Sequence, residues 1–180
     1  MNAKDTLIAK AGLAQFARYG WRKMTMQDVA DAAGISRQTL YNRVSHKEEL
    51  LRLVVHYYLT DNIERCRIAT DQATTIEAAT DALIAHFLTE AWQTLQAMPE
   101  TENIEMASNA IISQEVANAT KLKTALISDV IARLTKAKNA NEMADFFYAS
   151  LTGIKSFAKT QDQLDQLSAI LKQSLTDLTK

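Results

Sequence analysis

The sequence predicts a two-part, all-α fold, on three observations. Helix breakers are scarce: the 180 residues hold one proline and four glycines, and Gly12, Gly20 and Gly34 all fall in the first 34 positions. A glycine in a helix interior costs about 1 kcal/mol relative to alanine, so the stretch beyond Gly34 has little to interrupt it. Apolar side chains recur at threes and fours through most of the chain, the period of an amphipathic helix. Charge is also segregated. Residues 1–60 carry nine Lys/Arg against five acids, a balance of +4, which leaves 11 against 16, or −5, in the rest of a chain of net charge −1. A three-helix head over residues 1–46 and a helical body over 47–180 are expected, about nine helices in all.

The first helix is expected over residues 4–19, with Ile8, Ala11 or Gly12, Phe16 and Tyr19 inward and Gly20 ending it. Trp21 and Met24 would close the head's core; an aromatic beside a helix-ending glycine is more often core than a stacking surface. Thr25 is placed to cap a second helix, Asp28 completes a capping box with it, and Met26, Val29, Ala30 and Ala33 form the inward stripe. Gly34 supplies the left-handed residue that stops this helix. Ile35 packs into the corner, Ser36 caps a third helix, and Leu40 and Val44, four apart, are its buried stripe. Two short helices joined by a glycine turn outline a helix-turn-helix.

Taking 100° per residue from Leu40, Gln38 and Asn42 point outward, Thr39 and Tyr41 flank them, and Arg37 and Arg43 lie at the edges. Side-chain amides pair with adenine edges and arginine with guanine, while hydroxyl and ammonium groups reach phosphate, so the face suits the major groove of duplex DNA. A basic head on an acidic body is the charge distribution expected when the head alone meets phosphate. A merely solvated helix face has the same composition, and helix pairs with a glycine turn also occur without DNA.

The stretch from Ile8 to Leu51 resembles the tetracycline-repressor (TetR) family of bacterial regulators. The resemblance is carried by Phe16, Tyr19-Gly20-Trp21, Thr25, Val29-Ala30, Ala33-Gly34-Ile35-Ser36, Thr39-Leu40-Tyr41 and Lys47-Glu48-Glu49-Leu50. It implies an N-terminal helix-turn-helix DNA-binding domain followed by a C-terminal helical domain for effector binding and dimerisation. By position it makes Gln27, Arg37, Gln38 and Asn42 base readers, and Thr25, Thr39, Tyr41, Arg43 and Lys47 phosphate contacts. Two residues depart from the family pattern. Val44 stands where phenylalanine is usual, a smaller core plug. His46 stands where a small capping residue is usual, so Ser45 is expected to cap the fourth helix, with Glu48 three residues on.

That fourth helix should run from Lys47 to about Ala69, burying Leu50, Leu51, Val54, Tyr57 and Tyr58. Cys66, between Arg65 and Arg67, reads as a packed free thiol or, if the arginines face it, a redox sensor; helix neighbours in sequence do not face each other. Over residues 75–97, Ile76, Leu83 and Phe87 share one stripe and Ile84, Leu88, Trp92 and Leu95 the next, an arc wide enough to be buried on two sides. His86 and Glu90, four apart, are a satisfied histidine with its acceptor or half of a metal site that has no second pair. Pro99 breaks the body, a short helix is expected from Ile104 to Ala110, and a long one follows to about Lys138 with Leu122, Leu126, Val130 and Leu134 on its apolar face.

The last two helices, about Glu142 to Lys159 and Gln161 to Leu178, offer Leu151, Ile154, Phe157, Leu164, Leu167, Leu171 and Leu175 as a dimer interface, with Gly153 allowing close approach. Ordinary packing within one chain is the other reading of the same stripes. Aromatic and sulfur-bearing residues of the body, Tyr57, Tyr58, Phe87, Trp92, Met106, Phe147 and Tyr148, are the candidate effector pocket, though each also suits plain core.

The expected function is therefore a ligand-responsive, sequence-specific regulator of transcription: a homodimeric repressor released from a palindromic operator in double-stranded DNA by an unknown small molecule. A helical DNA-binding dimer without an effector, architectural or gated by a protein partner, is the alternative. No Ser/His/Asp, Cys/His, paired-carboxylate or phosphate-loop arrangement stands at diagnostic spacing, so no enzyme, cofactor or metal is expected. One cysteine excludes an internal disulfide and fits a reducing compartment, and no run of about 20 apolar residues is present, so a cytoplasmic protein without a membrane span is expected.

Overall fold

The computed structural model of the chain describes residues 1–97 and 113–179. Regular structure among the described residues is all helical: α1 (Ala3–Lys23), α2 (Met26–Ala32), α3 (Arg37–Tyr41), α4 (Lys47–Asp71), α5 (Ile76–Ile84), a π turn (Ala85–Thr89), α6 (Glu90–Ala97), α7 (Ser113–Leu134), α8 (Ala140–Phe157) and α9 (Gln161–Leu178). Because α5, the π turn and α6 are continuous, the described residues form eight helical runs. The short helix expected at Ile104 to Ala110, and with it Met106, lies outside the described residues.

Local chemistry accounts for most helix ends. The Asn2 side chain accepts from the Asp5 N–H at 2.8 Å and starts α1, while Gly20, at φ 74°, breaks the helical path before Met24. Thr25 and Asp28 close the expected capping box on α2, and Gly34 takes φ 64° after it. Ser36, Thr75 and Thr160 cap α3, α5 and α9 with their hydroxyl oxygens. The start of α4 departs from expectation. His46, not Ser45, is the capping residue: its Nδ1 accepts from the Glu49 N–H at 3.3 Å, and the Glu49 carboxylate, not that of Glu48, accepts from the Ser45 N–H at 2.7 Å. An imidazole nitrogen can replace a hydroxyl oxygen here because both are compact acceptors on a short stem.

The chain divides into two compact units, one of Met1–Asp61 with Thr94–Asn118 and one of Asn62–Gln93 with Ala119–Lys180. The first is organised around Ile8, Phe16, Met24, Val29, Leu40, Val44, Leu50 and Val54, with Trp21 and Ile35 packed at the margin. Gly12 faces α4 at short range: a Cβ there would lie 2.6 Å from Val54 Cγ2. Tyr19, expected inward, is exposed, because the break at Gly20 lets Met24 fill the space below α1.

The core of the second unit contains Leu83, Leu88, Ile127, Ile131, Phe147, Leu151, Leu164 and Leu175. Burying each such side chain stabilises the fold by about 1.5–3 kcal/mol. On α7 the expected row is met in part. Val130 is buried and Leu126 and Leu134 pack against the core, but Leu122 is exposed, and Lys123, Ile127 and Ile131 of the adjoining row complete the inner face. On α6, Leu95 is likewise exposed. Among the described residues no helix is long and apolar enough to cross a membrane.

Candidate nucleic-acid interface

In the first unit, α2 and α3 meet through the turn at Gly34, held by the Ile35 N–H donating to the Ala30 oxygen at 3.0 Å. Leu40 and Val44 anchor α3 in the core, and this fixes the direction of everything opposite. Gln38 and Asn42 are both exposed, and Gln38 Nε2 donates to Asn42 Oδ1 at 3.0 Å, so the two amides form one hydrogen-bonding edge. Regular α3 ends at Tyr41, but the Asn42 N–H still donates to the Gln38 oxygen at 2.9 Å and Asn42 keeps the right-handed helical conformation.

Arg37 and Tyr41 form the flank. The guanidinium carbon lies 5.3 Å from the ring centre, and Nη2 donates to the phenol oxygen at 3.4 Å. On α2, Gln27 is exposed and donates to Asp31 Oδ1 at 2.7 Å. Each of the four expected base readers is thus accessible, and all four are preorganised by three intramolecular hydrogen bonds that base edges could replace.

The expected phosphate contacts are less uniform. The Thr25 hydroxyl and backbone N–H donate to Asp28 Oδ2 at 2.7 and 2.8 Å, which holds the Asp28 carboxyl below the usual range and commits that hydroxyl to the cap. The Thr39 hydroxyl pairs with the Ser36 hydroxyl at 2.8 Å. Lys47 has its ammonium 4.7 Å from the Trp21 ring centre, within 3.3 Å of the Arg22 oxygen; partial burial lowers its pKa, and Glu48 and Asp28 act against that. Trp21 is therefore the platform that positions this lysine as well as a core side chain. Arg43 departs furthest from its expected role. Its Nε and Nη2 donate to the two oxygens of buried Asp5, the second at 2.5 Å, tying the end of α3 to the start of α1 and lowering the Asp5 pKa. That pairing turns two of its N–H groups inward, so Arg43 acts first as a brace.

Residues 8–54 match the model of the bacterial regulatory proteins, tetR family. Over those residues the chain is a TetR-family DNA-binding domain. It is a DNA-binding regulator of transcription, built as that family's helix-turn-helix on an all-helical fold. Similar solved structures extend the fold over the whole chain. A TetR-family transcriptional regulator from Mesorhizobium loti is 16% identical, covers 97% of this chain and 96% of its own, and has a TM-score of 0.70. A TetR regulator from Haloarcula marismortui is 18% identical over 98% of this chain and 96% of its own, also at 0.70. FadR from Bacillus subtilis, solved in complex with stearoyl-CoA, is 15% identical, covers 97% of both chains and scores 0.63. No curated protein sequence matches the chain.

The other expected sites are redistributed. Tyr57 and Tyr58 are half-buried in the first unit, whereas Phe87, Trp92 and Phe147 are core side chains of the second, where Trp92 Nε1 donates to the Ala158 oxygen at 3.0 Å. The Tyr148 hydroxyl lies 3.2 Å from that of Thr120. The expected interface divides as well. Leu151, Leu164, Leu171 and Leu175 are buried within the chain's own second unit and are not available to a partner, because leucines at threes and fours form a core stripe as readily as an interface. Ile154 and Leu167 are half-buried, and Phe157 is 68% exposed. Phe146, Ile170 at 63% and Leu178, apolar side chains of the same two helices, are outward as well.

Cys66 is fully buried, and desolvation pushes its thiol up to about 12, which removes the thiolate that a redox sensor needs. His86 Nδ1 lies 3.2 Å from Glu90, whose two oxygens accept from Arg65 at 2.8 and 2.5 Å, so the pair is part of an ion network. Among the described residues no group of three His, Cys, Asp or Glu could hold a metal ion.

Proposed function

We propose that the chain acts as a homodimeric repressor that binds a palindromic operator and is released from it by a small-molecule effector. The observation that carries the DNA-binding half is the exposed Gln38–Asn42 edge on a helix whose opposite side is fully buried. Base readout is assigned to Gln27, Arg37, Gln38 and Asn42, and phosphate contact to Thr39, Tyr41 and Lys47, with Thr25 and Arg43 contributing once a phosphate displaces the bonds that hold them to Asp28 and Asp5. Dimerisation is supported by the aromatic and aliphatic side chains left outward on α8 and α9, among them Phe146, Phe157 and Ile170. Gly153 on α8 has open space around its Cα, room for a closely approaching second helix. A twofold dimer presents two recognition helices to major grooves about 34–36 Å apart.

Effector response is supported by a FadR structure of the same fold that carries stearoyl-CoA. The functional division is a head of residues 1–46 and a body of residues 47–180. Helix α4 starts at Lys47, a phosphate contact, and runs without interruption to Asp71, past Asn62 and Cys66 of the second unit, so a tilt of its far end moves its near end. An effector acts only if it binds the two tilts with different affinity.

Fluorescence anisotropy with cognate and random duplexes tests the assigned face. Asn42→Ala should cost about 1–3 kcal/mol on the cognate site alone, while Lys47→Ala should weaken both duplexes alike and lower the salt slope by about one unit. Equal losses on both duplexes for Asn42→Ala would remove the base-reading assignment.

A further inference from the structure

Two polar side chains in the second unit, Lys123 largely buried and Asn62 fully so, lack the partners their chemistry calls for, and both are tied to the same π turn. Lys123 on α7 is 7% exposed, yet it makes no hydrogen bond or ion pair with a described residue; its ammonium lies 4.6 Å from the centre of the Phe87 ring. Asn62 on α4 is 1% exposed; its Nδ2 donates to the His86 oxygen at 2.9 Å, while its Oδ1 has no partner among the described residues. His86 and Phe87 are consecutive residues of the Ala85–Thr89 π turn, a kind of irregularity frequent at functional sites. A buried cation without an anion and a buried acceptor without a donor each carry a desolvation penalty that the fold leaves uncompensated.

The surrounding charges sharpen the demand for an anion. Glu90, the carboxylate whose charge favours the Lys123 ammonium, is already engaged by Arg65 and His86. Lys155 adds a like charge, and the Cys66 thiol carries none at neutral pH. Burial first, and Lys155 second, push the Lys123 pKa down to about 8. The negative face of the Phe87 ring occupies the position of a counter-ion and is a weaker one than a carboxylate.

We propose that the second unit binds a small organic acid whose carboxylate pairs with Lys123 and whose hydroxyl or amide N–H is accepted by Asn62 Oδ1. This rests on the reading of the chain as effector-responsive and supplies the chemical class of the effector. An anion reaching Lys123 takes the place of the Phe87 ring face, and the π turn that carries Phe87 moves with it. Through the bond from Asn62 to His86, the same displacement acts on α4.

The test is calorimetric, on the full chain, with 3-hydroxyoctanoate and 4-hydroxybenzoate as probes and their primary amides as uncharged counterparts. The wild type should bind at least one acid roughly tenfold or more tightly than its amide. At about pH 8.5, titrations in two buffers of different ionisation enthalpy should show proton uptake, because the bound carboxylate restores the ammonium. Lys123→Met should abolish both the preference and the uptake, and Lys123→Arg should keep the preference. Acid binding without proton uptake, or a preference that survives in Lys123→Met, overturns the assignment. Binding of amides but not acids overturns it as well, while keeping effector binding. A wild type that binds none of the four compounds overturns the acid assignment. The effector reading fails separately, when neither these compounds nor a panel of neutral metabolites changes operator affinity.

Discussion

Replacing Gly12 by alanine puts a methyl group between α1 and α4, and the structure allows its effect to be worked out. The new Cβ would stand 2.6 Å from Val54 Cγ2, 3.5 Å from Leu50 Cδ1 and 4.0 Å from Val29 Cγ1. Carbon atoms pack at about 3.5–4.0 Å, so only the first contact is an overlap, of about 1 Å. Overpacking of this size costs about 1–3 kcal/mol, while alanine in place of glycine inside α1 recovers about 1 kcal/mol of helix propensity. The net expectation is a loss of about 1 kcal/mol. Val54→Ala alone should cost about 2–3 kcal/mol, from two lost methyl groups and the space they leave.

In Gly12→Ala/Val54→Ala the overlapping atom is gone and the new methyl partly fills the gap. The double variant should therefore be more stable than the sum of the two losses by about 1–3 kcal/mol. Urea unfolding at fixed protein concentration, followed by Trp21 fluorescence in a Trp92→Phe background, reports on the unit concerned. Losses that add to within about 0.5 kcal/mol would refute the reasoning, and with it the claim that glycine is there for close approach.

Two further outcomes follow from the placement of Ile170 and Lys123. Ile170→Asp, on the outward face of α9, should give monomers in sedimentation velocity with the fold intact by circular dichroism, and an unchanged dimer would remove that face from the interface. Lys123, with a pKa near 8 against the ordinary 10.5, binds fewer protons folded than unfolded between those values, so its contribution to stability should rise as pH increases from about 8 to 10.5. The difference in unfolding free energy between wild type and Lys123→Met, measured by urea titration across that range, should shift in favour of the wild type; a flat difference would show that the lysine is not destabilised in place.

Much of the head could be read before any coordinates. The Thr25–Asp28 box, the Ser36 cap and the left-handed Gly34 depend on residues within three positions of one another, and such local chemistry survives folding. The outward direction of Gln38 and Asn42 followed from Leu40 alone, because a helix that buries one side must expose the other. What the sequence hid depends on distant partners or on two equally good stripes. Arg43 meets Asp5 from 38 residues away, and nothing near either residue announces the pairing. On α7, one step around the helix decides whether Leu122 or Lys123 goes inside, and periodicity favoured the leucine row. The leucines of α9 satisfy an interface and a core stripe equally well, so only tertiary packing shows that Leu164, Leu171 and Leu175 belong to the chain's own interior.

Selection of bound duplexes from a random pool, at moderate salt with nonspecific competitor, bears most directly on the claim that α3 reads DNA as one half of a twofold pair. The account predicts enrichment of an imperfect palindrome whose half-sites lie about one helical turn or a multiple of it apart, and its loss from the recovered pool when Gln38 and Asn42 are both alanine. A pool without enrichment, or a motif lacking twofold symmetry, would contradict it.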